Sequence, residues 1–401
     1  MEGYVAAIDL GTSKMLAMAA KKDHLNKLEI LATESLPTEG CVARGRIVDV
    51  NEATGKVHSV VSALSSQSAL THELKNIYIG IGGQSLHSEA YSCKKEVDGS
   101  VTKDLLISLE DECECWEKSE LLEITKPEYY LDGIFSSHPE GKTCKEIEVK
   151  CLRLLERQFD EDRDPIEKIL DDNSIAVAKF LISPLATAEI ALTRLQKKEG
   201  CALVEIGAAL TYVSIYKDSK LKFLVTIPLG GDAITADISA LDDFSDAEAV
   251  KKNNGILLNE SEAAETTVNK VIKARAVEIC ANIVHQIKHS GYESEIKDIG
   301  IVLTGGGAQL KNFDKLLIQE SGLPVQFAPL NDHSQACVQG LLLSGKDNCA
   351  KDTPKYEPPV EVEVEEVVEV VETPAPPAPP KPSKPSGKRW KFLMKGLFDD
   401  V

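Results

Sequence analysis

The sequence is short of positive charge, of long apolar runs, of paired cysteines and, over most of its length, of proline. Lysine and arginine total 45 against 64 acidic residues, a formal charge of −19. A body with that balance repels a phosphate backbone, so no nucleic-acid partner is expected. No stretch of 18 apolar residues occurs, and the opening MEGYVAAIDLGTSK carries Asp9 where a signal peptide would need its apolar centre; a membrane-spanning helix and export by the ordinary signal route are therefore not expected. The ten cysteines form no CxxC pair and no dense framework, which reads as reduced cytoplasmic thiols. Cys113 and Cys115 make a CxC without a second pair nearby, and the eight histidines are scattered. This pattern lacks the four ligands of a zinc site and reads as a surface pair of thiols.

Ten of the 18 prolines fall between Pro354 and Pro385, in a stretch that cannot bury a core. Residues 349–387 are accordingly expected to form a disordered acidic and proline-rich linker. Within it EVEVEEVVEVVE alternates like a strand, yet a lone strand with six glutamates needs a partner to be stable. Beyond it, Trp390, Leu393, Met394, Leu397 and Phe398 recur at helical spacing, with Phe392 adding apolar bulk. Lys388, Arg389, Lys391 and Lys395 supply positive charge around that face. A helix of 388–401 is too short to hold alone in water and needs an apolar surface to fold on. The basic rim and the long spacer favour an anionic membrane surface over a protein groove.

Residues 1 to about 348 read as mixed α/β. YVAAIDLG, KNIYIGIG, GCALVEIG, LTYVSIY and DIGIVLTGGG are short apolar strands, most ending in glycine, and 49–67 and 261–290 have helical spacing. Strand ends at glycines are where such folds place ligands. In AIDLGTSK, Asp9 closes a strand and Gly11, Thr12, Ser13 and Lys14 make a tight turn. Its amides could face phosphate oxygens, Lys14 adds a mobile charge, and Asp9 could hold Mg2+ through the ion's water shell. EIGAALTYVSIY repeats the arrangement with Gly207 and Thr211, suggesting a duplicated unit closing on a nucleotide from both sides. In GIVLTGGGAQL, Gly305, Gly306 and Gly307 let the backbone approach a flat ligand closely. In IPLGGDAITADIS, Gly230 and Gly231 open a helix whose free amides could face a phosphate, or whose start Asp232 could cap.

The order of these motifs resembles the actin, Hsp70 and sugar kinase superfamily, and most closely the bacterial cell-division FtsA family. AIDLGTSK resembles its first phosphate loop, EIGAALT its second, and GIVLTGGGAQL its adenosine loop; IPLGGDAITADI and GCVARGRIVDV are similar to further family segments. The resemblance implies an actin-like two-lobed ATPase fold with a small inserted α+β domain. The expected division is 1–83 for the first part of one lobe, 84–163 for the insertion, 164–348 for the remaining core, then the linker and the terminal amphipathic helix. It implies ATP and Mg2+ as cofactors, self-association into filaments, and peripheral attachment to the cytoplasmic face of the inner membrane at the division septum. The implied partners are the C-terminal tail of the tubulin-like division protein FtsZ, later division proteins, and anionic lipid. The second loop departs from the family's aspartate followed by IGGGTTD. Glu205 stands first, Leu210 offers no hydroxyl and Tyr212 no carboxylate, so hydrolysis is expected to be very slow or absent.

Overall fold

The computed structural model describes residues 3–354 except 116–119, 158, 173, 242–244, 257 and 259–265. The chain begins with β1 (Val5–Leu10), β2 (Lys14–Lys22), β3 (Leu28–Pro37), a small hairpin of β4 (Val42–Ala43) and β5 (Arg46–Ile47), and α1 (Val50–Ser66). Next come β6 (His72–Leu74), β7 (Asn76–Ile81), β8 (His87–Glu96), α2 (Lys103–Glu114), β9 (Leu121–Ile124), β10 (Glu128–Leu131), β11 (Ile134–Ser136) and β12 (Glu146–Leu155). There follow α3 (Phe159–Asp172), β13 (Ala176–Ile182), α4 (Ser183–Ala191), α5 (Arg194–Glu199), β14 (Cys201–Ile206), β15 (Thr211–Lys217) and β16 (Lys220–Ile227). The last part contains α6 (Gly231–Ser239), α7 (Ala247–Asn254), α8 (Thr267–His289), β17 (Ile301–Thr304), α9 (Phe313–Ser321), β18 (Val325–Phe327), α10 (Ala336–Ser344) and β19 (Ala350–Pro354).

Two sheets share one plan. The first runs β13-β7-β1-β2-β3, and the second contains β18-β17-β14-β15-β16. In both, a strand makes an antiparallel hairpin with its successor and pairs in parallel with a later strand on its other side. β2 is buried without interruption from Met15 to Ala20, as a strand covered on both faces must be. One cover is α1, started by Asp49 accepting from the Glu52 amide and burying Ala53, Val57, Val60, Val61 and Leu64. The second sheet packs on α8, whose buried Ile272, Ala276, Ile279, Ile283 and Ile287 form one stripe.

Between β7 and β13, strands β8–β12 and α2 enclose a separate small core of Val101, Leu109, Cys113, Ile147 and Val149. β8 continues the second sheet through the Val225–His87 pair, and Lys220 bridges to Glu128 at 2.8 Å. The apolar side of α2 turns Cys113 fully inward while Cys115 is exposed, so these thiols are not the surface pair expected from their spacing. All ten cysteines are unpaired.

The folded body also extends beyond the expected linker boundary. Ala350–Pro354 pairs with His72–Leu74, and Cys349, fully buried, is held by Tyr4 O and the Lys75 amide. The rest of the linker and the amphipathic segment 388–401, with Trp390 and its neighbours, lie outside the described residues. Among the described residues no helix is long and apolar enough to cross a membrane.

Candidate functional site

The duplicated plan brings two equivalent turns to one cavity. β1 ends at Asp9 and Leu10 and turns through Gly11, Thr12 and Ser13; β14 ends at Glu205 and Ile206 and turns through Gly207 to Leu210. Both turns line the cavity, the first from Asp9 through Lys14 and the second from Gly207 through Leu210. The second is closed by the Gly207 amide donating to Leu210 O at 2.8 Å. The amides of Thr12, Ser13, Ala208 and Ala209 donate to no backbone carbonyl among the described residues. Turn amides left in this state form a concavity suited to an anion, whatever their side chains.

A pair of carboxyls shares the cavity with those amides. Glu205 and Asp9 occupy matching positions at the ends of β14 and β1, and both line the cavity. Burial pushes the Glu205 carboxyl up to about 8, and the Asp9 charge adds to the rise. Its Oε2 has no hydrogen-bond partner among the described residues. Asp9 is raised as well, again by burial, with the Cys337 thiol and the Lys14 ammonium pulling the other way. Lys14 Nζ donates to Ser334 Oγ at 2.9 Å, tying the first turn to the segment before α10. Two desolvated carboxyls repel an anion on its own. They accept one that arrives with a divalent cation, whose charge restores the ionised form. An unpartnered carboxylate oxygen, a lysine and two sets of free amides therefore fit a polyphosphate carried with Mg2+.

The third wall is the glycine run. Gly305 has φ +91°, and a Cβ there would lie 2.3 Å from Ile206 O, so only glycine lets β17 leave the sheet this close to β14. Gly305 and Gly306 line the cavity; Gly307 is turned against Ile206 and Gly207 and does not. The Thr211 hydroxyl donates to Leu229 O at 2.8 Å inside the sheet, away from the cavity. The helix after β16 also differs from expectation. The Gly231 amide donates to Gly207 O at 3.0 Å and the Asp232 amide to Ala208 O at 2.8 Å, so both are consumed by the second turn. Gly230 has no side chain to cap α6, and Asp232 does not cap it either. Gly230 and Gly231 thus buttress the turn, because a Cβ on Gly230 would strike Ala208 O at 2.5 Å.

Other lining residues carry no motif. Ser183 starts α4, Cys337 lies in the first turn of α10, and His333 and Ser334 precede it. Burial holds the His333 imidazole below its ordinary range, with the Asp332 charge pulling the other way. Tyr212 crosses from the second sheet toward the first, where its hydroxyl would meet a Cβ on Gly82 at 2.3 Å. Glu156 and Arg163 complete the rim near the β12–α3 connection. These positions become neighbours only through tertiary packing, and the signal that could have found them is their place at the ends of apolar strands or the starts of helices.

A family model described as cell division protein FtsA matches residues 202–340, the part holding the second turn and the glycine run. The cell division protein FtsA of Porphyromonas gingivalis is 28% identical over 338 residues, covering 78% of this chain and 70% of that protein. Among solved structures, a PilM–PilN type IV pilus biogenesis complex aligns with a TM-score of 0.61 at 14% identity, covering 85% of this chain and 98% of that one. MreB5 of Spiroplasma citri bound to ADP aligns with a TM-score of 0.50 at 14% identity, over 84% and 94%. The chain therefore has an actin-like fold. In sequence it is similar to the cell-division protein FtsA, through the family model over 202–340 and through that relative.

Proposed function

We propose that the protein is an ATP-binding membrane adaptor that polymerises and tethers the tubulin-like division protein FtsZ at the septum. The observation that carries the nucleotide part is the convergence of two turns whose Thr12, Ser13, Ala208 and Ala209 amides meet no backbone carbonyl, Lys14 and the Gly305–Gly306 bend on a pair of half-buried carboxyls between two sheets of the same plan. In this reading the sheets are two lobes. Asp9 holds Mg2+ through its water shell, and Lys14 with the amides of both turns holds the phosphates. The bound cation would supply charge neutralisation at the phosphates; the protein's part is to orient them and to exclude water. The segment 84–163 would be the inserted domain that meets later division proteins, and the linker would carry the terminal helix to anionic lipid on the cytoplasmic face of the inner membrane. Relatedness to a cell-division protein and likeness to an ADP-bound actin-like protein support this reading.

Turnover is expected to be very slow or absent. Tyr212 puts a phenol, raised far above its ordinary range by burial, where a carboxylate would orient water. The same residue favours a second reading, a scaffold that works without nucleotide. Co-sedimentation with liposomes separates them, using the full-length chain and a version ending at Gly387, each with and without Mg-ATP. Full-length protein alone should pellet, preferentially with anionic lipid and more strongly with ATP. Pelleting that ignores ATP favours the scaffold, and no pelleting removes the membrane assignment.

A further inference from the structure

The histidines are scattered along the chain, but two of the eight stand one turn apart on a single helix. α8 buries Ile279, Ile283 and Ile287 in the core of the second sheet. His285 and His289 fall on the opposite side, in its last two turns, and both are exposed. A spacing of four residues sets one above the other on the helix surface. Their ring centroids are 6.3 Å apart and their planes 10° from parallel.

The ring nitrogens set this pair apart. His72, His87, His138 and His333 each spend one on a neighbouring oxygen. His285 and His289 make no hydrogen bond and no ion pair among the described residues, only the contact with each other. Imidazole is a common ligand for first-row transition ions, and two at this spacing on one helix face act as a chelate. With metal–nitrogen bonds of about 2.1 Å, each ring centroid sits about 3.2 Å from a shared ion, so the centroids must lie within about 6.4 Å of each other. The observed separation meets that limit. A tetrahedral angle at the ion asks for about 5 Å, a closing that two exposed side chains make by small χ rotations. The last carbonyls of α8 and the formal charge of −19 both draw a cation toward this end of the helix, and Lys288 in the same turn opposes them with one positive charge.

We infer that His285 and His289 form a binding site for a divalent transition-metal ion that prefers imidazole, such as Zn2+, Ni2+ or Cu2+. Among the described residues no three ligating side chains converge, so water completes the coordination. Neither histidine lines the cavity, and the site stands whether or not the nucleotide reading does. A bound ion staples the last turn of α8 to the turn before it, so occupancy adds to the stability of the helix that covers the second sheet.

Calorimetric titration of the untagged full-length protein with Ni2+ tests this, with excess Mg2+ present to fill sites made of oxygen. Ni2+ is the probe because Zn2+ is also taken by thiols, and Cys115 is exposed. Wild type should bind one ion per chain through this pair. His285→Ala and His289→Ala should each weaken binding at least tenfold, because one imidazole alone loses the second ligand's effective concentration. Both variants should fold, since the positions are exposed and alanine favours a helix. Ni2+ should raise the melting temperature of wild type and leave that of either variant where it was. Cys115→Ser should bind within about twofold of wild type. Binding that survives either histidine variant, that is lost only in Cys115→Ser, or that saturates at half an ion per chain overturns a self-contained site on α8.

Discussion

Replacing Glu205 with glutamine should stabilise the nucleotide-free protein, and increasingly so as pH rises. The carboxyl titrates at about 8 in the folded protein against an ordinary 4.5. Between those values the folded state holds a proton that the unfolded state has released, so wild-type stability falls with every step up in pH. The contribution is fully present below 4.5 and has gone above about 8. Glutamine keeps the shape, carries no charge and removes the slope. From pH 6 to pH 8.5 the difference between variant and wild type has a ceiling of about 3 kcal/mol at 1.36 kcal/mol per unit. The cavity admits solvent, so roughly half of that is expected.

Thermal melts at pH 6, 7 and 8.5, in chelator and without nucleotide, would read this as a gain of a few degrees that grows across the series. Asp9 is raised by the same burial, so the two carboxyls titrate as a pair. The slope left in Glu205→Gln reports Asp9. A divalent cation in the cavity should stabilise the ionised pair, and adding Mg2+ with nucleotide should shrink the gain. A gain of equal size at every pH, or a loss at pH 8.5, would refute the idea that Glu205 is a strained, desolvated acid.

Three further substitutions, one of them a control, test the architecture. Gly305→Ala places a methyl 2.3 Å from Ile206 O at φ +91° and should cost about 3 kcal/mol and at least tenfold in nucleotide affinity. Gly306→Ala, whose Cβ would meet nothing closer than Ser334 Cβ at 3.5 Å, is the control and should stay within about 0.5 kcal/mol in urea unfolding. Arg153, 5% exposed, donates to the carbonyls of Cys113, Glu112 and Cys115 at the end of α2 and stacks on Tyr91 at 3.7 Å. Arg153→Leu should therefore cost about 3 kcal/mol and speed amide exchange in α2. Exchange at the wild-type rate would show that the cap is dispensable.

Local chemistry made the turns legible from sequence, since an acid at the end of an apolar strand followed by glycine is written in consecutive residues. The glycine run was legible for the same reason, although one of its three members turns away. What sequence could not show is where a backbone amide spends its hydrogen bond. Gly230 and Gly231 look like an open helix start, yet their region is filled by the carbonyls of Gly207 and Ala208. Thr211 looks like a hydroxyl offered to phosphate, but strand alternation turns it onto Leu229 O. Cys113 and Cys115 differ in burial because α2 has an inner face, which its partner strands define and its spacing alone does not.

The pairing of Asp9 with Glu205 is the larger case. Each residue alone is an acid at a strand end, and neither position implies a raised pKa. Repetition of one strand order in both sheets sets them at matching places on opposite walls, and burial then does to both what neither turn does by itself. A ligand that arrives with a divalent cation relieves that burden on both walls at once, so its binding energy is also energy for holding the two sheets together. The departures in the second turn fit the same logic. Ala208 and Ala209 keep their amides, Glu205 keeps a carboxyl that a bound cation would ionise, and the side chains that the family's pattern would use to guide water are missing. Under the proposed function the cavity would keep what grips a nucleotide while lacking what would spend it, the balance expected of a protein whose bound state is the working one.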